Sequence, residues 1–244
     1  MKKIILLLAF CLSVGNLFAQ DANADKLREE GDAAMTAKNY PEVVTKYSEY
    51  LKLTNYEDES RIFNCAFAAY NAKKYDDAIK FYDMAIQKGY KADDAYVGKA
   101  MSLRSQDKAA DFTATVEAGL KVNAQNANLE KLLYAYCMKK GQAAQKAGKT
   151  DEAEELFKDV LVVGNTKYKG NALYSLGVMF YNAGAKILTE ANPIATSDPD
   201  KYAAEKKKAD AQMAKAKGYL EQAVALNAAD ANSKKILDAI NAAK

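Results

Sequence analysis

The chain has 244 residues, half of them apolar, and its 35 basic and 32 acidic side chains give a net charge of +3 at pH 7. A nucleic-acid-binding surface needs basic residues concentrated on one face, and this near-balanced charge gives no indication of one. The absence of histidine removes Ser-His and Cys-His nucleophile pairs and the commonest zinc ligand. Composition therefore favours packed short helices over a catalytic or nucleic-acid-binding class.

The first twenty residues have the pattern of a secretory signal peptide. A basic start at residues 1–3 precedes a short apolar run at residues 4–14, and Ala19 supplies a small residue for cleavage. That run is too short to span a membrane, and no later stretch reaches about 18 continuous apolar residues. We therefore expect residues 1–19 to be removed and the rest to be exported, with the periplasm as the expected location.

Cys11 raises the alternative of a lipid anchor, because an acylated cysteine would tether the chain to a membrane. Phe10 is bulky where a lipoprotein signal needs a small residue, and apolar sequence continues past the cysteine. The sequence therefore favours a soluble exported form over a lipidated one.

Two amphipathic segments of about a dozen residues follow, separated by a polar turn at Lys38-Asn39. The first segment carries Leu27, Gly31 and Ala34 at helical spacing. The second carries its apolar residues at Val43, Tyr47, Tyr50, Leu51 and Leu53. Two helices that are each apolar on one face must pack as a hairpin, and one hairpin needs neighbours of the same kind to bury both faces.

The same pattern returns four more times along the chain. The turn and second-helix phrase that begins at Asn39-Tyr40 recurs 35 residues later at Lys74-Tyr75, and three further copies follow. A period of about 34 residues per helix-turn-helix, with a small residue in the first helix and an aromatic just after the turn, resembles the tetratricopeptide repeat (TPR) family. The predicted repeats cover residues 24–57, 59–92, 93–126, 128–167 and 170–228, with an insertion at 189–201 and a capping helix at 230–243.

The resemblance implies an all-α fold: a right-handed α-solenoid of about five TPR repeats with a C-terminal capping helix, forming one domain over residues 20–244. The fifth repeat is irregular, because its first helix runs on to Asn192-Pro193 and a long helix starts near Asp200. Six lysines lie between Lys201 and Lys217. A solvated helix face explains them, and contact with an anionic polymer or lipid is the alternative.

Features that resemble catalytic sites have structural explanations. Gly148-Lys149-Thr150 resembles the end of a phosphate-binding loop, but Ala143 stands where that loop needs glycine, and the triplet falls at a predicted turn. Cys65 and Cys137 lack an activating partner and fit as small apolar core residues rather than redox thiols or a disulfide. Adjacent acid pairs diverge by about 100° on a helix, which leaves only a carbohydrate hydrolase built across repeats as a remote alternative. We expect no enzymatic activity, no cofactor and no metal.

The resemblance also implies a binding surface, because in this family the first helix of each repeat lines a concave groove. The groove positions most suited to contact a partner are Arg28, Asp32, Phe63, Phe67, Tyr70, Asn71, Met101, Arg104, Gln142, Tyr174 and Tyr181. The same positions also include Met35, Val97, Met138, Gln145, Asn171, Val178 and Asn182. Tyr70 and Tyr181 are the better candidates for exposure, whereas Phe63 and Phe67 could equally pack against the next repeat.

Aromatic rings with interleaved amides suit an extended peptide or an amphipathic helix. Asp32, Asp94 and Gly98 depart from the clamp with which one TPR subclass grips a terminal carboxylate, so we do not expect recognition of a C-terminal acid. The sequence therefore predicts a protein–protein interaction scaffold whose partner is another envelope or secreted protein, with no nucleic acid and no membrane span. The alternative is an accessory protein that binds an envelope polymer, either peptidoglycan or another glycan.

Overall fold

The computed structural model describes residues 21–242, and all regular structure in that range is helical. Residues 21–36 are helical and form α1. The helices that follow are α2 (Tyr40–Leu53), α3 (Glu59–Asn71), α4 (Tyr75–Gln87), α5 (Ala92–Ser105), α6 (Ala109–Val122), α7 (Ala127–Lys146), α8 (Thr150–Asp159), α9 (Thr166–Ala191), α10 (Pro199–Leu226) and α11 (Ala231–Ala242). The predicted signal peptide and the question of Cys11 lie outside the described residues.

From α2 to α6, and again from α7 to α11, consecutive helices pack against each other, which confirms the predicted all-α helical repeat. The described chain divides between Asn123 and Ala124 into two compact units. The first unit holds α1 to α6, and the second holds α7 to α11. The single domain expected over residues 20–244 stays a prediction.

The turn between the two helices of a repeat has the same backbone form in four repeats. The residues that adopt the left-handed conformation are Lys38, Lys73, Asp107 and Gly148, with φ of 56°, 60°, 55° and 76°. In each turn, the N–H of the following residue donates to the carbonyl oxygen five residues earlier, as from Lys149 to Ala144 at 3.0 Å. This is the Schellman ending of a helix, which favours glycine at the left-handed position. Gly148 therefore belongs to a helix ending, as the turn interpretation of Gly148-Lys149-Thr150 predicted.

A large side chain of the second helix lies on a small residue of the first in several repeats. Tyr47 lies against Gly31 and Phe157 against Gly141. A Cβ atom at Gly141 would lie 2.6 Å from Phe157 Cε1, which is inside van der Waals contact. The two helices of a repeat can approach this closely only because the first helix carries no side chain at the point of contact.

Each unit has its own apolar core. Fully buried side chains of the first unit include Tyr47, Leu51, Ile62, Phe112 and Val116. Those of the second include Leu129, Leu133, Phe157, Leu176 and Leu220.

Cys65 and Cys137 are buried, free thiols, which confirms their interpretation as core residues. Cys65 lies in the first unit and Cys137 in the second. Burial raises the pKa of each thiol to about 12, so each is protonated at neutral pH.

The fifth repeat is built from two long helices, α9 and α10, as its sequence predicted. They pack against each other along their length, and Gly184 allows close approach because a Cβ there would lie 3.0 Å from the Ala209 carbonyl oxygen. Asp198 caps α10 by accepting a 3.1 Å hydrogen bond from the Lys201 N–H. Helix α11 then adds Ile236, Leu237 and Ile240 to the core, which confirms the predicted capping helix.

Two glycines of α9 test whether the small-residue contact holds the helix pair together. At Gly177, a Cβ atom would lie 2.5 Å from Leu220 Cγ, whereas at Gly170 it would meet nothing within 4 Å. We expect Gly177→Ala to destabilise the protein, because overpacking costs about 1–3 kcal/mol and exceeds the gain in helix propensity. Gly170→Ala should instead stabilise it by about 0.5–1 kcal/mol. Urea unfolding of both variants measures the difference, and equal midpoints would contradict this account of the contact.

Candidate functional site

The predicted groove residues lie on the first helices of the helix pairs, and none of them is fully buried. Arg28 and Asp32 are on α1, the four residues from Phe63 to Asn71 are on α3, and Met101 and Arg104 are on α5. Those eight belong to the first unit. Gln142 on α7 and the two tyrosines Tyr174 and Tyr181 on α9 belong to the second unit.

In the first unit, Asp32 is the centre of a hydrogen-bond network that links three helices. Its Oδ1 accepts from Tyr47 Oη at 2.6 Å, and its Oδ2 accepts from Arg61 Nη2 at 2.7 Å. Burial acts to raise the pKa of Asp32, but the hydrogen bonds from Arg61 and Tyr47 outweigh it and hold that pKa below its ordinary value. Arg61 also lies 3.8 Å from Asp58, which accepts from Tyr50 Oη at 3.1 Å. The Asp32 carboxylate thus has internal partners as well as a half-exposed position.

The aromatic residues of α3 differ in the solvent exposure of their rings. Phe63 meets Tyr82 edge-on at 5.8 Å between centroids, and Lys91 Nζ lies 5.1 Å from the centre of the Phe63 ring. Phe63 therefore packs against neighbouring elements, one of the two possibilities that its sequence left open. Phe67 is 43% exposed, with its ring edge-on to Tyr40 at 6.0 Å.

Tyr70 was expected to be one of the more exposed tyrosines of the groove. It is half-buried, and its ring lies 5.9 Å from that of Tyr75. Asn71 is exposed and donates from Nδ2 to the Phe67 carbonyl oxygen at 2.8 Å.

Among the remaining predicted residues of the first unit, Arg28 pairs with Asp25 at 3.0 Å, within its own helix. Met101 and Arg104 are half-buried on α5. The predicted residues of this unit thus include one exposed ring, that of Phe67, beside polar groups that mostly have internal partners.

In the second unit, a groove runs along α9 and is closed on its other side by α11 and the end of α10. We call it the α9–α11 groove and define it by Lys167, Asn171, Tyr174, Tyr181, Asn232, Lys235 and Ile236. It has two adjoining parts of about 550 and 360 Å³, and Tyr174 and Asn232 line both. Two predicted groove residues, Tyr174 and Tyr181, therefore line the smaller part together.

The groove presents aromatic rings, amides and cations. Tyr174 and Tyr181 are both half-buried and lie two helical turns apart on α9, or about 10.5 Å along the axis. Asn171 Nδ2 donates to Tyr134 Oη at 2.8 Å, and the Tyr134 ring stacks on Tyr168 at 4.2 Å. Rings supply contact area with little loss of side-chain entropy, and amides can bind a peptide backbone.

Asp230 is the one acid among the described groove-lining residues, and its carboxylate caps α11. Its Oδ1 accepts from the backbone N–H groups of Asn232 and Ser233 at 3.1 and 3.2 Å. Its Oδ2 accepts from Ser233 Oγ at 2.6 Å. Asp230 therefore caps α11 while it lines the groove.

The contribution of α11 to the groove was missed at the sequence level, where this helix was predicted only as a cap. Continuing the repeat register past the fifth repeat would have placed Asn232 and Lys235 at the positions that Asn171 and Tyr174 occupy on α9. A capping helix that stands where the next repeat would begin can thus provide a groove wall as well as cover the core.

A second depression, of about 460 Å³, lies in the first unit between α4, α5 and α6. Both lysines that line it have an acidic partner, with Lys99 Nζ 2.6 Å from Asp83 Oδ1 and Lys108 Nζ 3.5 Å from Asp76 Oδ1. Within residues 21–242, no cluster of three or more histidine, cysteine or acidic side chains could hold a metal ion. No helix in the same range is both long and apolar enough to cross a membrane.

These helix pairs, with a groove on their first helices, define a helical-repeat protein of the TPR class. A solved TPR repeats protein from Bacteroides fragilis is 43% identical and matches 91% of this chain and 99% of its own, with a TM-score of 0.84. The chain belongs to the tetratricopeptide repeat family. Proteins of this class present a concave surface to a partner.

Other comparisons are more distant. The Hsp70-Hsp90 organizing protein 1 of Glycine max is 29% identical over 171 residues, which is 67% of this chain and 28% of the length of that protein. The TPR domain of P58(IPK) is 13% identical, covers 93% of this chain and 67% of its own, and has a TM-score of 0.46. No family model matches the chain.

The internal partners of Asp32 predict a pH-dependent contribution to stability. Its pKa is lower in the folded protein than the ordinary value of about 3.9, so its stabilisation is complete above that value. It is lost as the pH falls through the folded-state pKa. Asp32→Asn should therefore cost about 1 kcal/mol at pH 7 and progressively less in acid.

Urea unfolding between pH 7 and pH 2.5 measures this difference. Asp25→Asn is the control, because Asp25 is an exposed carboxylate on the same helix whose one ion-pair partner among residues 21–242 is Arg28. If the free energy of unfolding of Asp32→Asn differed from that of the wild type by the same amount at every pH, the assigned role of the carboxylate would be contradicted.

Proposed function

We propose that this chain is a non-enzymatic protein–protein interaction scaffold of the cell envelope, which binds a peptide or helix of a partner in its concave TPR groove. The observation that carries the proposal is the α9–α11 groove. Tyr174 and Tyr181 line it, at positions where the family resemblance predicts contact with a partner.

The chemistry of the groove supports binding rather than catalysis. The groove-lining side chains of the described chain are mainly tyrosines, amides and aliphatic residues, with two lysines among them. The carboxylate of Asp230 is engaged in capping α11. The thiols of Cys65 and Cys137 are buried and protonated at neutral pH, so neither is available as a nucleophile.

The spacing of the two tyrosines fits a peptide. A separation of about 10.5 Å corresponds to roughly three residues of an extended chain, or to two turns of a helix. An extended segment in the polyproline II form, which has three residues per turn, could place side chains three residues apart on the two rings, and an amphipathic helix could do so with residues seven apart. Both forms belong to the proposal.

The envelope location rests on the signal-peptide pattern of residues 1–19, which precede the described residues. An exported scaffold would meet other envelope or secreted proteins, so we propose a partner from that set.

The alternative function is recognition of an envelope polymer, either peptidoglycan or another glycan. The stacked rings of Tyr134 and Tyr168, with the Asn171 amide on the Tyr134 hydroxyl, favour it. Aromatic faces and amides can also contact a sugar ring and its hydroxyl groups.

Removal of the two groove tyrosines tests the proposal. A tagged form of residues 20–244 should retain a specific envelope protein from an extract, and that partner, once identified and purified, should bind directly. Changing Tyr174 and Tyr181 together to alanine should weaken binding at least about tenfold, because aromatic side chains at the centre of an interface carry much of its binding energy.

Tyr202→Ala is the matched control, because Tyr202 is also half-buried but does not line the groove. Equal binding by the double variant would contradict a peptide site in this groove. Tyrosine-dependent sedimentation with purified cell wall, without a protein partner, would favour the polymer-binding alternative.

A further inference from the structure

We propose that the α9–α11 groove is selective for acidic segments: its occupant is a peptide in which side-chain carboxylates flank an apolar side chain. This inference rests on the proposed function and adds the chemistry of the partner. It follows from the charges that the groove leaves unpaired and from the apolar surface beside them.

Two cations line the groove without an ion-pair partner among residues 21–242. Lys167 lies in the first turn of α9 and lines the larger part, and Lys235 lies on α11 and lines the smaller part. Other lysines of this unit do have partners, such as Lys206 with Asp210 at 2.8 Å and Lys217 with Glu221 at 3.7 Å. The groove lysines are therefore available to an incoming carboxylate.

Among the described residues one acid, Asp230, lines the groove, so the lysines of the lining outnumber its carboxylates by two to one. Asp230 accepts hydrogen bonds from two backbone N–H groups and one hydroxyl. These bonds hold its carboxylate at the start of α11. Glu130 lies near the start of α9, but it is buried, and its Oε1 accepts from the Gly164 and Asn165 N–H groups at 2.5 and 3.0 Å. Asp230 and Glu130 thus hold the ends of the groove helices, and Asp238, an exposed acid on α11, does not line the groove.

The ring of Tyr174 lines both parts of the groove, so it links the part with Lys167 to the part with Lys235. Tyr174, Tyr181, Ile236 and Ala239 line the same part of the groove as Lys235. Lys167 is seven residues before Tyr174, so it lies about 10.5 Å further along the α9 axis. A ligand that covers the groove would contact Lys167 in the larger part. In the smaller part it would contact the aromatic and aliphatic side chains together with Lys235.

This arrangement favours side-chain carboxylates within a peptide over the carboxylate at a peptide's C-terminus. The two lysines line different parts of the groove, so they match two separated acidic side chains better than one terminal group. Charge complementarity of this kind contributes to specificity and to the association rate.

Selection from a random peptide library on the full chain without its predicted signal tests the inference. The probe is a displayed 12-residue library with fixed flanking sequence on both sides, so that no random peptide has a free C-terminus. The selected pool should contain at least about twice the aspartate and glutamate of the starting library. Selection on Lys167→Glu/Lys235→Glu should lose this acidic enrichment and favour lysine and arginine instead.

Lys207→Glu/Lys234→Glu is the matched control, because both lysines are exposed and neither lines the groove. Its selected pool should stay acidic. Equal acidic enrichment on the groove variant and on this control would overturn the assignment of Lys167 and Lys235.

Affinity measurements with one selected peptide, blocked at both ends, provide the second readout. Fluorescence anisotropy should show at least about tenfold weaker binding to Lys167→Glu/Lys235→Glu, with recovery when the peptide's acids are changed to lysine. Affinity for the wild type should fall as salt is raised.

The two proposals fail in different ways. Selected peptides whose binding needs Tyr174 and Tyr181 but which show no acidic enrichment would overturn the acidic selectivity and support the peptide groove. Failure to select any peptide, or selection of peptides that bind equally well after Tyr174→Ala/Tyr181→Ala, would overturn both.

Discussion

Close contact between a large side chain on one helix and a glycine on its neighbour is the constraint on which this structure depends. Tyr47 lies on Gly31, Phe157 on Gly141 and Leu220 on Gly177. Each contact brings the two helices of a repeat together and directs one face of the first helix into the core. The other face of that helix is then left at the surface, where the groove positions lie. The same packing of the first helix therefore sets both its core face and the face that we propose for binding.

Groove positions nevertheless have different roles. Asp32 joins α1 to α2 and α3 through Tyr47 and Arg61, so a polar residue at a groove position can also stabilise the helix stack. Tyr174 and Tyr181, by contrast, line an open groove. Some groove positions thus stabilise the helix stack, and others are the ones that we propose to contact a partner. The contacts of each side chain distinguish the two groups.

Most of the fold could be predicted from the sequence, because the signals that define it are local and repeated. The spacing of Gly31 and Tyr47 returns at Gly141 and Phe157, and the stop at Asn192-Pro193 marks the end of α9. The Asp32–Arg61 pair could not be predicted, because it joins residues 29 positions apart whose side chains carry no periodic signal. The same holds for α11 as a groove wall. Its apolar stripe predicted burial, whereas Asn232 and Lys235 became part of a site only through the neighbouring helices.

The α9–α11 groove is the surface that we propose for partner binding. It offers a preformed surface of rings, amides and two unpaired lysines, so a partner segment pays most of the ordering entropy on binding. The most direct measurement is a backbone amide chemical-shift map of the chain with its purified partner segment bound. The account predicts that the largest changes lie along α9 and α11, around Tyr174, Tyr181 and Ile236. Changes concentrated on the exposed lysine-rich face of α10, or in the depression between α4 and α6, would contradict it.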